Sequence, residues 1–514
     1  MSEEKKVDRR GYLKVGAVVV VAGAAAGGYM IGQTGKAPQT TTVTETVTET
    51  VAGTGTATQP SQYGDIEEFL SKVSGPYKGQ TVRIANESTA SGMWLNEFIR
   101  PRFEELTGIK IEYEFLGWDD AMRKERLDGA QKSGTYELYY IDEEEIAAEF
   151  FENGYIVDWN AFAAQHKDLL WPGYNVADLI AVKYFTYKGM LAGAPFEHFL
   201  RTIVYRSDLF NDPNEKAAFK AKYGRELQPP TTYDEYAQTA EFFTRPDEDL
   251  YGHVCQPNPM SLPCDILIGL ATYGVSGGGY TLGRRSSVKN GGMLDSENAI
   301  AWLTRYINLL PYGPKGVENF TWDDEGAAWS AGRVAQGWVW TENFAYIEDP
   351  VKSPKVAGNV MCTPGITEPK YYRYSTPYAY SDAGCMAMAA SGASKEAAFL
   401  WTQYATCQQT NEAQMKALKG VAPRASMLAS PLADQLDAQY KTNAYAMIRR
   451  LATEGNLMGP FFPIAEEPVA RDILWKHVED AIAGKATPKE VLSAAATEID
   501  DKWKTMGWPD LKGY

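Results

Sequence analysis

Carboxylates recur in this chain where a strand-like segment gives way to a helical one. Glu87 follows "TVRIAN", Asp119 and Asp120 follow "IKIEYEF" and Trp118, and Asp142 closes "ELYYID" with Glu143, Glu144 and Glu145 behind it. Paired acids can protonate and deprotonate across a glycosidic bond, or they can accept hydrogen bonds in pairs from the hydroxyls of a bound solute. Adjacent acids that open a helix also complement its dipole, which is the preferred reading for Glu144 and Glu145. A nucleophile has one foothold, "GVSGG" at 274–278, which matches G-x-S-x-G. The preceding "DILIGLATY" reads as a helix and the following "GGYTLG" cannot start one, so Ser276 reads as an ordinary loop serine. Metal chemistry finds no support: His166, His198, His253 and His477 are dispersed, and no C-x-x-C occurs. No phosphate-binding P-loop is present, so ATP hydrolysis would belong to a separate subunit.

Aromatic rings are the fuller resource. With 13 Trp, 31 Tyr and 19 Phe, the chain holds more rings than core filling demands, which points to a ligand surface built from them. The formal charge of −16 disfavours nucleic acid, an anionic membrane surface and polyanionic substrates. Five cysteines would permit one or two disulfides in an oxidising compartment, Cys255 with Cys264 being closest in sequence; five buried, unpaired thiols is the equally open alternative.

The elements that must position these groups begin with strands at 81–86, 109–115 and 137–142, separated by amphipathic helices at about 94–106, 119–132 and 143–152. That alternation predicts a parallel, right-handed α/β sheet, whose ligands lie beyond the carboxyl ends of its strands. Glu87, Trp118, Asp119, Asp142 and Glu143 sit at those ends and are expected ligand contacts. At "GAPFEHFLRTIVYRSDLF" (193–210) the chain crosses into a second, more helical lobe, and Glu197 rides in the crossing. There Thr231 or Thr232 with Glu235 forms a capping box, and "LDSENAIAWLTRYINLLP" reads as a capped helix with a buried stripe that includes Trp302. Strand patterns return at 355–365 and 384–390, and helices fill 394–502. The sequon at Asn86 is expected to stay unmodified, because its strand end faces the cleft.

The N-terminus carries an address. Arg9 and Arg10 precede an apolar run, 15–31, in a pattern that resembles the twin-arginine export signal. The run is either cleaved near 24–28 or retained as an anchor with its positive end inside. No cysteine follows it closely, so no lipid-modified cysteine is expected, and the Thr-rich stretch at 40–60 favours a tether, since a folded body held off a membrane needs such a spacer.

Beyond the leader, the ordered stretches "FEELTGIKIEYEF", "FENGYIVDW", "GAPFEHFLRTIVYRSDLF", "PPTTYDEYAQTA", "LDSENAIAWL", "WSAGRVAQGWVWTENF", "VAPRASML" and "AIAGKATPKEVLSAA" resemble the family 1 extracellular solute-binding proteins of ABC importers over roughly 78–503. The resemblance implies a type II periplasmic-binding-protein-like fold, two α/β lobes joined by hinge segments, with no catalytic residue, cofactor or metal. It implies lobe 1 at 75–194 and 344–390, lobe 2 at 195–343, and a C-terminal helical part at 391–507 mainly in lobe 2, after an export signal or anchor at 1–34 and a linker at 35–62. Hinges are expected near Pro195, Phe344 and 384–392. One of Trp338 and Trp340 matches the position from which a ring faces the solute in that family. The tyrosine cluster that includes Tyr378 and Tyr380, and Phe461 or Phe462 in "NLMGPFFP", are further expected contacts, with Phe462 preferred. A monomer is expected that binds a sugar, oligosaccharide or polyol and serves an ABC permease, outside the cytoplasm and touching membrane only through its N-terminal segment. An exported glycoside hydrolase and a ferric-iron binder using Tyr371 and Tyr372 remain as alternatives.

Overall fold

The computed structural model describes residues 64–507 except 143, 260, 276–284, 364, 372–378, 418–423, 455, 456 and 459–466. The export segment, the Thr-rich stretch and Ser276 therefore lie outside the described residues.

Alternation of Val82 and Ile84 with polar neighbours produces β1 (Thr81–Glu87), which pairs in parallel with β2 (Lys110–Leu116) over its whole length. β3 (Leu138–Ile141) joins β1 on the other side, also parallel, and all four of its residues are buried, as expected of a strand covered on both faces. After a small hairpin of β4 (Thr186–Tyr187) and β5 (Met190–Leu191), β6 (Gly193–Pro195) ends the first passage through this lobe. The first sheet has the order β2-β1-β3-β11-β6, where β11 (Cys385–Met388) runs antiparallel to both neighbours. The expected parallel sheet thus holds for three strands. Pairing of β11 was not legible because a strand arriving from a distant segment needs no right-handed crossover.

The helix that follows β1 departs from a plain α-helix. Thr89 caps the segment Ala90–Trp94, a π-turn spans Leu95–Ile99, and α-helix resumes at Arg100–Thr107. Pro101 has no N–H to offer the carbonyl four residues back, and the wider turn absorbs this by letting the Arg100 N–H bond to the Leu95 carbonyl. Gly108 then ends the helix at φ 69°, a left-handed conformation that a side chain disfavours.

The second sheet is built on β7 (Phe199–Arg206), flanked by β8 (Gln336–Trp340) and β10 (Ala379–Asp382), with β9 (Val360–Cys362) also on β7 and β12 (Leu457–Met458) beyond β10. Helix Glu297–Leu309, capped by Ser296, buries Ala299, Trp302, Leu303, Tyr306 and Leu309 on this lobe. Thr232 caps helix Tyr233–Phe243, and the Glu235 carboxylate reaches back to Thr231.

The chain passes between sheets at 196–198 and at 383–384, and helix Lys395–Ala405 then packs on the first sheet, Trp401 lying 5.1 Å from Phe103. Helix Gln408–Lys416 touches both cores, Ala413 packing on the first and Met415 on the second, and Met427 and Leu428 of Ala425–Leu428 belong to the second. This differs from the expected boundaries. β9 and β10 (360–362 and 379–382) pair with β7 of the second sheet, and the first sheet is rejoined at Cys385 rather than at 344. Phe344 accordingly packs in the second core instead of serving as a hinge. The C-terminal part likewise begins on the first lobe. A strand's own pattern records its two faces but not its partner, so the sequence could not assign these segments. The five cysteines form no disulfide; Cys255 lies in the second core, and Cys264 alone of the five is partly exposed.

Candidate solute-binding cleft

The carboxyl ends of β1 to β3 face one end of the second sheet across a cleft of about 510 Å³. From the first lobe come Glu87 at the end of β1, Asp142 just past β3, and Trp118 with Asp119 at the start of helix Trp118–Gln131. The Trp118 indole Nε1 donates to Asp142 Oδ2 at 2.5 Å, which fixes the ring and one carboxylate together. From the second lobe, Phe199 at the start of β7, Trp340 at the end of β8, Glu342 in the turn that follows and Asp382 at the end of β10 reach the opposite wall. Antiparallel register brings these together, Phe199 opposite Asp382 and Arg201 opposite Trp340. Trp322, together with Arg471, Asp472 and Trp475 of helix Glu467–Ile482, completes the lining.

Behind Trp340 lies an ionic cluster. Arg201 is fully buried and donates from Nε to Asp265 at 2.6 Å and from both terminal nitrogens to Glu325 at 2.5 and 3.0 Å. Its guanidinium lies 5.7 Å from the Trp340 ring and 5.8 Å from Trp338. The other oxygen of Asp265 accepts from Tyr306 and from the backbone of Gln256, and the Gln256 side chain accepts the Trp340 indole N–H at 2.9 Å. Tyr380, wholly buried, presents its edge to Trp340 at 5.7 Å. The cleft-facing indole is therefore held from three sides.

At the seam between lobes, the Thr89 hydroxyl accepts the Gly92 N–H and donates to Glu197 at 2.8 Å. Gly384, in the other crossing segment, leaves room for this carboxylate, since a β-carbon there would lie 2.3 Å from Glu197 Oε1. His198 Nε2 pairs with Ser381 at 2.7 Å and ties the first crossing to β10, just ahead of the second. Burial depresses the His198 pKa to about 3, so the ring is neutral.

Burial, then the nearby charges of Asp142, Glu342 and Glu197, hold Glu87 well above the usual carboxylate range, and burial and Asp323 raise Glu342 to about 7. Glu325 and Glu348 are also pushed up to about 7 by burial. An acid whose folded pKa exceeds its unfolded one favours the folded state below the unfolded pKa and loses that advantage as pH rises through the folded one. These groups should therefore make the protein more resistant to urea at pH 5 than at pH 8. A midpoint that rises steadily from pH 5 to 8 would contradict this.

Of the expected contacts, Glu87, Trp118, Asp119, Asp142 and Trp340 line the cleft. Glu197, Trp338 and Tyr380 do not, and each is buried behind the wall. Trp338 shares a strand face with Trp340, but it lies two residues deeper and its carbonyl accepts the Trp329 indole. Glu143, Tyr378 and Phe462 lie outside the described residues. Tyr371 stacks on Tyr273 at 4.9 Å against the second core, and Tyr372 is not described. Trp322, Glu342, Asp382, Arg471 and Trp475 were not expected. Asn86 is fully buried and donates to the Glu87 carbonyl, so mass spectrometry of the exported protein should find it without a glycan. Full occupancy at Asn86 would mean the sequon is exposed.

The fold has relatives among solved structures. A solute-binding protein from Agrobacterium radiobacter K84, solved with ribitol, is 22% identical, covering 83% of this chain and 99% of its own, with a TM-score of 0.68. One from Agrobacterium vitis S4 with bound D-mannitol is 18% identical over 84% of this chain and all of its own, at a TM-score of 0.68. Maltose-bound MalE3 of T. maritima is 17% identical over 82% of this chain and all of its own, at 0.66. No curated protein matches the chain. A model of the bacterial extracellular solute-binding proteins matches residues 85–412, a span that takes in most of both sheets, both crossings and most of the cleft, and the chain belongs to that family.

Proposed function

We propose that the protein captures a sugar or polyol in this cleft by hinge closure and delivers it to the permease of an ABC importer at the outer face of the cytoplasmic membrane. The carrying observation is the composition of the walls. Trp118, Trp340, Trp322 and Trp475 offer faces for the C–H surfaces of such a solute, and carboxylates from both lobes accept its hydroxyls. Closure excludes water, and an analogue that leaves one of these buried acceptors unpaired is penalised. Ribitol, mannitol and maltose in the structural relatives support the class. The family is one of binding proteins and not of enzymes. Saturable binding with no product from labelled oligosaccharides is expected, together with a smaller radius of gyration at saturation as the lobes turn about 196–198 and 383–384. Turnover, or unchanged scattering at saturation, would count against the reading.

The N-terminal segment supplies the location. Among the described residues no helix is long and apolar enough to cross a membrane. The apolar run at 15–31 is the anchor in this reading, and the Thr-rich stretch lets a monomeric binding body range over the permease beside it, raising its effective concentration there. Changing Arg9 and Arg10 together to Lys should leave the protein inside the cell; continued export would remove the twin-arginine route. A mature N-terminus beyond Gly28 would remove the anchor.

A further inference from the structure

Two parts of the cleft's second wall meet at one amide. Trp340 lines the cleft from the end of β8, and Pro259, Ser261, Pro263 and Cys264 line it from the loop and first turn that open helix Leu262–Thr272. Between them lies Gln256, wholly buried and not itself part of the lining. Its Oε1 accepts the Trp340 indole N–H at 2.9 Å, and its Nε2 donates to the Ser261 carbonyl at 2.6 Å. Chain direction puts it there. Residues 251–256 run parallel to the stretch that becomes β8, joined to it by the Tyr251–Val334 bridge and by the Trp338 N–H, which donates to the Val254 carbonyl. Two residues further along each, Gln256 meets Trp340. The Gln256 backbone N–H donates to Asp265, which accepts from Arg201, and Arg201 stands opposite Trp340 in the pairing of β7 with β8, so the circuit closes on itself.

From this arrangement we infer that Gln256 is a positioning residue of the solute cleft: its amide sets the Trp340 ring against the 259–264 turn, and affinity for the solute depends on its donor and its acceptor together. The inference rests on the sugar-or-polyol reading and adds to it a residue that touches no solute. An indole N–H only donates and a carbonyl only accepts, so the amide fits one way round. A ring already held in register with the neighbouring turn meets the solute without first being ordered. With either bond lost, a buried N–H or carbonyl is left unpaired, and ring and turn are free to separate. Glutamate at this position would distinguish positioning from the filling of space. Ionised, it accepts from the indole but sets a second acceptor against the Ser261 carbonyl; protonated, it supplies the missing donor again. Arg201, Asp265, Tyr306 and Glu325 of the surrounding network and Glu342 of the cleft are present in variant and wild type alike, so the ratio of the two affinities isolates position 256.

The test is calorimetry on the full chain in detergent, at pH 5 and pH 8, with the tightest binder of a ribitol, mannitol and maltose panel. Gln256→Met should bind about tenfold or more weakly than wild type at either pH. Gln256→Glu should stay within about threefold of wild type at pH 5 and fall about tenfold or more below it at pH 8, as the buried acid gives up its proton. A Gln256→Met that binds as wild type does, or a Gln256→Glu whose ratio to wild type is the same at both pH values, would overturn the inference and leave the sugar-or-polyol reading standing. Should Gln256→Glu unfold at pH 8, its affinity at pH 5 decides, and a loss there of about tenfold overturns the inference. A wild type that binds nothing in the panel overturns the inference together with the reading beneath it.

Discussion

Trp340→Ala is expected to weaken solute binding by about 2–4 kcal/mol, roughly 30- to 1000-fold in dissociation constant. The reasoning is positional. Trp340 ends β8 at the cleft, its indole N–H is taken by Gln256, and its ring is backed by Arg201 and by the edge of Tyr380. Such an anchor enters the complex already ordered, so little of its contact is spent on immobilising it. Trp340→Phe keeps a ring face but loses the bond to Gln256, and should fall between the two. Trp338→Phe, in the layer behind, should change binding much less. Calorimetry with the tightest-binding sugar or polyol of a ribitol, mannitol and maltose panel reads all three, and equal losses for Trp338→Phe and Trp340→Ala would show that the wall has been assigned to the wrong tryptophan.

The second large effect is on stability. Arg201→Met removes the cation from a cluster in which Asp265 and Glu325 are nearly inaccessible to water, and it should cost about 3–5 kcal/mol of unfolding free energy. Both carboxylates would be left in a low-dielectric interior, and Glu325 is already pushed up to about 7 by burial even with Arg201 beside it. Urea unfolding at pH 7.5 measures the loss. The deficit should narrow towards pH 5, where the orphaned acids take up protons. Replacing all three residues together with apolar ones of similar volume should recover much of the stability, because the pairing compensates a burial cost that the triple variant no longer carries. A loss below about 1 kcal/mol in the single variant would mean that the cluster is hydrated.

Much of the first lobe was legible because its strands alternate and its ligand positions follow from a rule about strand ends. Glu87, Trp118, Asp119 and Asp142 were reached that way and line the cleft. The same rule applied to β8 and β10 would have found Glu342 and Asp382, but it requires knowing that these short strands share a sheet with β7. Only pairing across more than 130 residues establishes that. Trp322 and Trp475 carried no signal of their own. Each lies on a helix, and only the packing of that helix in the second core brings its ring to the cleft. Glu197 and Tyr380 were drawn to the correct neighbourhood and sit one layer too deep, a distinction of depth that sequence spacing does not encode.

The late arrival of β11 has a consequence for synthesis. Leu138 of β3 pairs with Met388, and Trp401 packs on Phe103, so the first lobe lacks its fourth strand and a core helix until about 300 residues after β1 have been made. A ribosome that has released residue 380 has produced most of the second lobe but holds an unfinished first one, with the edge of β3 uncovered. Neither lobe can be completed in the order in which the chain emerges. A secretion route that accepts only finished molecules suits such a chain, whereas one that threads it through a pore must deliver both halves unassembled to the far side, where any chaperone that shields the β3 edge has to be waiting.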